Sequence, residues 1–384
     1  MKNILVIHQS AELYGSDKTL LVVLSQLDKK DFFPVVVLPF EGPLKTELEK
    51  EGIKVVIAPV LKLYRKMFTP KNLLALAKGA NSAIKTLDEL HAVYKFDMVY
   101  SNTLAVLLGM IYARKRKLKH IWHVHEIITT PKVIANTFAW LLDRYATLVV
   151  CNSYATKNNL TSRQKTLESK TVVVHNGLNA LPQTQHQPST KTKYGFEETD
   201  VVITLLGRIG WFKGHKWLLN TYIENFKNSN VKMLFVGSPV PGQEHYQDEV
   251  EAIIAQHNLQ DSVKIIAFTT NVQSIWNATD ITAVPSTEAE PFGLVALEGM
   301  LAKKPVVASN HGGLTEIVVD KQTGFLVEPG NNESLAKALK NLIDNPQLRN
   351  EFGAKGYERA ISQFSQDQYV KGMVDIFAGK VSKS

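Results

Sequence analysis

Two glutamates eight residues apart could contact the two ends of one extended ligand. Glu290 and Glu298 lie in the segment PSTEAEPFGLVALE, residues 285–298. On one helix this spacing spans about 12 Å, at about 1.5 Å per residue. That is about the separation of the two sugars across a nucleotide diphosphate. The segment therefore predicts a helix with the donor sugar at its start and the ribose two turns on.

The start of this helix is expected to bind phosphate. Pro291 suits a first helical position, so Glu290 is the predicted N-cap. The next amides would have no intrahelical acceptor, and such amides at a positive helix end bind anions. They are the amides of Phe292, Gly293 and Leu294.

A glycine-rich loop precedes this segment. Its sequence is GRIGWFKG, from Gly207 to Gly214, between a predicted strand and a predicted helix. Arg208 offers a planar fork and Lys213 a point charge, a pairing that suits a diphosphate. A later turn, NHGGLTE at residues 310–316, fits either direct ligand contact or a purely structural role.

The elements that must position these residues alternate between short β-branched strands and longer helices. Such alternation predicts parallel sheets covered by helices on both faces. We expect an N-terminal domain at 1–180, a linker at 181–199, a C-terminal domain at 200–362 and a helical tail at 363–384 that packs back on the N-terminal domain. Ligands of such sheets bind at the carboxyl ends of the strands, so a cleft between the two domains is the expected site. The predicted strands are 4–8, 35–39, 55–58, 98–101, 121–125, 148–151, 172–175, 201–206, 233–236, 263–267, 281–284 and 306–308.

Composition narrows the partners and the compartment. The net charge of +8 is concentrated in residues 1–180, which hold 25 basic and 14 acidic side chains. Residues 61–90 and 114–119 are the basic regions that we expect to dock on an anionic membrane surface. No motif of interleaved aromatic and basic residues supports a nucleic-acid partner. The single cysteine, Cys151, favours a reducing compartment, and no apolar run is long enough to span a bilayer, so we expect a cytoplasmic, peripheral protein.

Taken together, these motifs resemble the retaining glycosyltransferases of family 4. The resemblance rests on Gly-Arg-x4-Lys-Gly at 207–214, on Glu290-x7-Glu298 within Pro-Ser…Pro-Phe-Gly, and on the Gly-Gly-x-x-Glu turn at 312–316, and it extends over essentially the whole chain. It implies a GT-B fold, in which two Rossmann-like doubly wound domains face each other across a cleft. It also implies a nucleotide-sugar donor bound mainly by the C-terminal domain, an acceptor bound mainly by the N-terminal domain, and no cofactor or obligatory metal. The absence of Asp-x-Asp and of paired Cys/His spacing agrees with the last point.

The resemblance assigns roles in the C-terminal half. Arg208 and Lys213, beside Gly207, would bind the donor diphosphate, and Glu298 the ribose hydroxyls. Glu290 would hold the donor sugar, together with the amides of residues 292–294. The base would lie near Phe268 and Val272.

In the N-terminal half the resemblance assigns His125, at the end of a strand, to the donor sugar. Gly15 and Ser16 would approach phosphate or acceptor at a helix start. By alternation His123 shares the face of His125 and is expected to pack near the sheet, whereas Glu126 would orient His125 or the acceptor. Lys303 departs from the family, which usually has a glycine there as a helix cap.

The predicted catalytic residues are thus His125, Arg208, Lys213 and Glu290. The resemblance implies transfer with retention at the anomeric carbon, with UDP-sugars favoured over GDP-sugars and a glycan or lipid-linked acceptor. Two other interpretations stay open. A nucleotide-sugar epimerase with the same two-domain outline would isomerise the donor without any acceptor, and a non-catalytic protein would only bind nucleotide sugar.

Overall fold

The computed structural model describes residues 1–61, 70–180 and 189–380, with side chains from residue 79 onward in the second range. It divides into two compact units. The first contains Met1–Gly177 and Gln366–Ser384, and the second contains Leu178–Ser365. Each unit has its own parallel sheet.

The first sheet has the strand order β3-β2-β1-β4-β5-β6-β7, with every pair parallel. Its central strands are buried on both faces, because helices cover both sides of a doubly wound sheet. The strands are β1 (Lys2–His8), β2 (Phe32–Leu38), β3 (Lys54–Ile57), β4 (Met98–Asn102), β5 (Lys119–Val124), β6 (Leu148–Cys151) and β7 (Thr171–Val173).

The second sheet has the order β10-β9-β8-β11-β12-β13 and is also parallel throughout. The strands are β8 (Val201–Leu206), β9 (Val231–Val236), β10 (Val263–Ile266), β11 (Ile281–Val284), β12 (Val306–Ser309) and β13 (Gly324–Val327). The edge strand β13 was not predicted, since four residues that begin with glycine carry little strand signal. All twelve predicted strands are present within a few residues of the expected bounds.

Helices separate the strands in both units, which confirms the predicted fold class. In the first unit they are α1 (Gly15–Ser25), α2 (Pro43–Lys50), α3 (Pro70–Tyr94), α4 (Leu108–Arg116), α5 (Lys132–Tyr145) and α6 (Tyr154–Thr161). In the second they are α7 (His215–Asn225), α8 (His245–Gln256), α9 (Val272–Ala278), α10 (Leu294–Leu301), α11 (Leu314–Ile317), α12 (Asn332–Ile343) and α13 (Pro346–Gln363).

The chain changes units at different points from those expected. Residues 181–188 of the expected linker lie outside the described part. Residues 189–199 belong to the second unit: Lys191 is buried and pairs with Asp280 at 2.8 Å, and Phe196 lies in the core. The last helix, α14 (Gln366–Ala378), packs on the first unit, where Tyr369 and Phe377 are buried in its core.

The strand order reverses between β1 and β4 in the first sheet and between β8 and β11 in the second. At such a reversal the chain leaves the two adjacent strands toward opposite faces, which opens a crevice at their carboxyl ends. Ligands of doubly wound sheets bind in that crevice. The residues that follow β1, β4, β8 and β11 therefore line the expected ligand crevices of the two sheets.

Candidate active site

The loop after β8 closely approaches the end of β11. Gly214 has φ +80°, and a Cβ there would lie 1.9 Å from the main-chain oxygen of Pro285. The amide of Thr287 donates to the oxygen of Phe212 at 2.8 Å. The two loops on either side of the strand reversal are thus joined, and this contact requires a glycine at 214.

This junction brings Lys213 to Glu290. The ammonium nitrogen of Lys213 lies 2.5 Å from a carboxylate oxygen of Glu290, and the hydroxyl of Ser286 donates to the same oxygen at 2.6 Å. The Glu290 side chain is 7% exposed and that of Lys213 is 19% exposed. Two predicted site residues from separate loops therefore form one nearly buried ion pair.

The ionisation of Glu290 follows from these neighbours. Burial by itself raises the pKa of a carboxyl group. The charge of Lys213 and the hydrogen bonds from Lys213 and Ser286 outweigh it, and the net effect is a lowered pKa for Glu290. The site thus holds a carboxylate rather than a carboxylic acid at neutral pH.

The predicted helix start was wrong. Helix α10 begins at Leu294, and its N-cap is Gly293 with φ +106°, not Glu290. The oxygen of Glu290 accepts from the amide of Gly313 at 2.8 Å and so is not the first acceptor of the helix. The rise of 12 Å therefore does not apply to Glu290 and Glu298, since residues 290–293 are not helical.

Burial of Phe292 explains the difference. Its side chain is 2% exposed and lies against the ring of Phe364, with centroids 5.9 Å apart. The anchored ring holds the preceding residues in an irregular loop, and the left-handed Gly293 separates that loop from the first helical residue. The amides at the positive end of α10 are those of Leu294 and Val295, which precede the first bonded amide, that of Ala296. Glu298 lies on α10 and is partly buried.

The turn at 310–316 packs against the Glu290 loop, the irregular segment of residues 285–293 that precedes α10. A Cβ at Gly312 would lie 2.3 Å from the oxygen of Glu290, and one at Gly313 would lie 2.5 Å from the Cα of Phe292. The ring of His311 also contacts the main-chain oxygen of Ser286 at 3.0 Å. The two glycines have a structural function in these contacts, because they allow two backbones to touch.

The remaining predicted donor-binding residues of the second unit lie on neighbouring loops. Gly207 has φ +150° and directly follows β8, and the side chain of Arg208 is exposed. Phe268 follows β10, is 42% exposed, and its amide donates to the hydroxyl of Ser238 at 3.0 Å. Val272 is the first residue of α9. Their roles toward the donor stay predictions.

The first unit has a second cluster of polar side chains at the ends of β1, β4 and β5. The Nε2 of His125 lies 2.8 Å from the Oδ1 of Asn102. The Nε2 of His8 lies 2.5 Å from the Oδ1 of Asp17, and its Nδ1 lies 3.0 Å from the main-chain oxygen of Asn102. Burial lowers the pKa of His125 well below its usual value. His123 is fully buried beside the sheet, as expected.

Gly15 and Ser16 begin α1, whose N-cap is Tyr14. The Oε2 of Glu126 accepts from the amides of Leu104 and His125, both at 3.0 Å, and so holds the backbone of the loop that carries His125. Its expected role toward His125 or the acceptor stays a prediction.

Sequence reasoning missed Asn102, His8 and Asp17. Two of them could have been found from position, since His8 ends β1 and Asn102 ends β4, at the strand reversal. Asp17 carried no comparable signal, because its partner His8 is contacted only in the folded unit.

Among the described residues, no group of three or more His, Cys, Asp or Glu side chains could hold a metal ion. In the same part of the chain, no helix has the length and apolar character needed to cross a membrane.

Two sequence families match the chain, one in each half. Residues 15–180 match the family described as Glycosyltransferase Family 4. Residues 186–359 match Glycosyl transferases group 1. Together they cover most of both units and leave out β1 and α14 of the first.

The chain is also similar to individual glycosyltransferases. An uncharacterized glycosyltransferase of Methanocaldococcus jannaschii is 25% identical over 86% of each chain. The capsular polysaccharide biosynthesis glycosyltransferase CapM of Staphylococcus aureus is 32% identical over 43% of this chain and 42% of that protein. Several curated relatives are matched over about half their length.

Among solved structures, the crystal structure of Anabaena HepE in complex with UDP and glucose is 25% identical, with a TM-score of 0.84, over 98% of this chain and 99% of that one. The fold likeness spans both units. The chain is a glycosyltransferase of family 4, group 1, and has the GT-B fold.

Proposed function

We propose that this glycosyltransferase transfers a sugar, with retention at the anomeric carbon and without a metal ion, from a UDP-sugar to a glycan or lipid-linked acceptor. The observation that carries the proposal is the ion pair of Lys213 with Glu290 at the strand reversal of the second sheet. A cation and a carboxylate held together there suit a ligand with both an anionic diphosphate and sugar hydroxyls.

The chemistry of Lys213 and Arg208 would be electrostatic. As the bond from the anomeric carbon to the diphosphate oxygen breaks, negative charge grows on the diphosphate, and preorganised cations stabilise it. The amides at the start of α10 would add to this field. A carboxylate at Glu290 would bind a sugar hydroxyl or stabilise positive charge on the sugar ring.

Retention would then follow from attack on the face that the diphosphate leaves. A new bond forms between the acceptor oxygen and the anomeric carbon, and the acceptor proton passes to the departing phosphate oxygen. In this scheme no protein side chain acts as the nucleophile. Glu290 remains ionised and paired throughout.

Uridine is the favoured base, with guanosine second. The HepE structure, which contains UDP and glucose, supports the first choice. The similarity to CapM, a capsular polysaccharide biosynthesis glycosyltransferase, supports a role for this chain in the synthesis of a cell-surface polysaccharide. The exposed ring of Phe268, at the end of β10, is the candidate surface for the base.

We also propose that the enzyme works as a peripheral protein on the cytoplasmic face of an anionic membrane. Residues 62–69 of the basic stretch lie outside the described part, as do the side chains of 70–78. The part that is described includes the end of α4, where Arg114 and Lys117 are exposed. Arg114 stacks over the ring of Tyr145 at 5.4 Å and bonds to its hydroxyl, not to a carboxylate among the described residues.

The test begins with a screen of nucleotide sugars for thermal stabilisation, followed by a transfer assay with the best binder. A product with retained anomeric configuration, formed in the presence of a chelator, supports the proposal. Inversion, or dependence on added metal, contradicts it. An isomerised nucleotide sugar formed without acceptor indicates an epimerase, and tight binding with no turnover indicates a binding protein.

A further inference from the structure

A series of buried polar side chains connects α1 to His125 in the first unit. It runs from Asp17 through His8 to Asn102 and then to His125. Asp17, His8 and Asn102 are each at most 1% exposed. Burial of polar groups is costly unless each is hydrogen-bonded, and these are. Neither the family motifs nor the predicted site residues account for the first three.

The neighbours of Asn102 determine which way its amide faces. Its Nδ2 is 3.4 Å from the main-chain oxygen of Ser16, which can only accept a hydrogen bond. Its Oδ1 is 3.0 Å from the hydroxyl of Tyr100. The reversed amide would place one carbonyl oxygen against another at Ser16. The oxygen of the amide therefore faces His125.

This orientation determines the tautomer of His125. Because the Oδ1 of Asn102 can only accept, the Nε2 of His125 must carry the proton. Burial keeps the ring neutral near pH 7, since it lowers the pKa. The other nitrogen, Nδ1, then has a lone pair. The hydrogen bonds of His125 leave Nδ1 without a bond to any described residue, and His125 is half-buried rather than fully buried, so this nitrogen is available to a ligand.

We propose that Asn102, held by the His8–Asp17 pair, is a positioning residue that presents the Nδ1 of His125 to a sugar hydroxyl as a hydrogen-bond acceptor. This inference rests on the proposed function, since the sugar substrate supplies the hydroxyl. A neutral acceptor nitrogen selects a ligand that donates there. A deoxyfluoro sugar, whose fluorine cannot donate, is expected to bind more weakly when it replaces that hydroxyl.

Several titratable groups surround His125 and bear on any pH dependence. The ring of His123 lies against the ring of His125, tilted by 38° at a centroid distance of 3.9 Å, and Glu126 accepts from the His125 amide. The charged or titratable groups that act on it from β1 and α1 are His8 and Asp17, and the hydroxyl of Tyr100 bonds to its partner Asn102. The charges of His123 and His8 lower the pKa of His125, after burial, and Asp17 raises it. No carboxylate among the described residues bonds directly to the ring.

The first experiment observes the tautomer and needs no substrate. Protein labelled with ¹⁵N-histidine is studied by long-range ¹H–¹⁵N spectra at pH 7, and the His125 signal is assigned by its loss in His125→Gln. A neutral ring protonated at Nε2 is expected. A ring protonated at Nδ1, or an imidazolium at pH 7, would overturn the inference even if the enzyme transfers sugar as proposed.

The second experiment places a carboxylate opposite Nε2. Asn102→Asp has nearly the same shape but raises the pKa of His125, because an opposite charge favours the imidazolium. Below this raised pKa both ring nitrogens donate. We expect kcat/KM to fall about 10-fold, the value of one hydrogen bond, as the pH falls through that pKa, and this acid limb should lie at higher pH than in the wild-type enzyme.

Asn152→Asp is the matched control. Asn152 is a buried asparagine that directly follows β6, two strands from β4 in the same sheet, and accepts from the hydroxyl of Thr156 rather than bonding to a histidine. It is expected to change the level of activity without shifting the pH profile. Equal profiles for both variants would contradict a positioning role for Asn102. If Asn102→Asp does not fold, the tautomer of the wild-type protein decides the matter.

Discussion

Lys213 and Glu290 meet at 2.5 Å although 77 residues separate them in the chain. The sequence assigned one to the diphosphate and the other to the sugar. Their contact means that neither acts alone, because the cation is partly neutralised before any ligand arrives, and the carboxylate remains ionised because of the cation. A variant at either position therefore alters both.

Replacement of Lys213 by alanine should lower kcat by about 100-fold or more if its charge stabilises the departing diphosphate. Steady-state transfer assays measure this. Lys216→Ala is the control, since Lys216 lies three residues away, is exposed and pairs with Glu249. Near-wild-type turnover by Lys213→Ala would refute the assignment.

The free energy of unfolding should reveal the ion pair of Lys213 with Glu290. Lys213→Met leaves the Glu290 carboxylate buried without its cation, which costs about 3 kcal/mol, the lower end for a buried pair because Lys213 is 19% exposed. The double variant Lys213→Met/Glu290→Gln removes both charges and should recover most of that loss. Urea unfolding curves measure the difference, and strictly additive effects would contradict a coupled pair.

The stabilisation by Glu290 should depend on pH. Its pKa is lowered in the folded protein, so its contribution is fully present above the unfolded carboxyl pKa of about 4.3 and is lost as the pH falls through the lower folded value. We expect Glu290→Gln to be less stable than wild type from pH 5 to 7. The difference should narrow only below about pH 4. A difference that grows on acidification would be inconsistent with the lowered pKa.

Two glycine variants distinguish the effect of the contact between Gly312 and the Glu290 loop from the effect of backbone strain on stability. Gly312 and Gly330 have φ of +61° and +76°, but a Cβ at Gly330 would meet nothing within 4 Å. Gly330→Ala should therefore cost only the left-handed strain of about 1 kcal/mol. Gly312→Ala should cost more and also weaken nucleotide-sugar binding, because it displaces Glu290. Calorimetry and titration with the best-binding donor measure the two effects, and equal behaviour of the variants would argue against the contact.

Removal of two exposed cations tests the membrane proposal. Arg114→Ala/Lys117→Ala should lower the affinity for vesicles of anionic phospholipid at low salt about 30-fold, because each cation contributes about 1 kcal/mol of binding free energy. Co-sedimentation with the vesicles measures this affinity. Lys337→Ala, an exposed lysine of α12, is the control. Wild-type protein that fails to sediment with anionic vesicles would refute the proposal.

The start of helix α10 was predicted wrongly because long-range contacts act on it. Pro291 favours a helix start locally, but burial of Phe292 and the close approach of Gly312 and Gly313 delay the helix to Leu294. Long-range packing outweighed the local preference. By contrast, Lys303 does adopt the left-handed conformation expected at the glycine position of the family, with φ +58°, because that preference is set within the helix end itself.

The sequence by itself determined the two parallel sheets, the loops that carry the site and the family to which the chain belongs. Each of these depends on local signals: apolar runs, glycine-rich turns and the spacing of charged residues. Tertiary structure alone decided that Lys213 bonds to Glu290, and that Asn102, His8 and Asp17 surround His125. Apart from the contact of His8 with Asp17 on α1, which spans nine residues, those contacts join residues far apart in the chain, and the strand order brings the ends of their strands together.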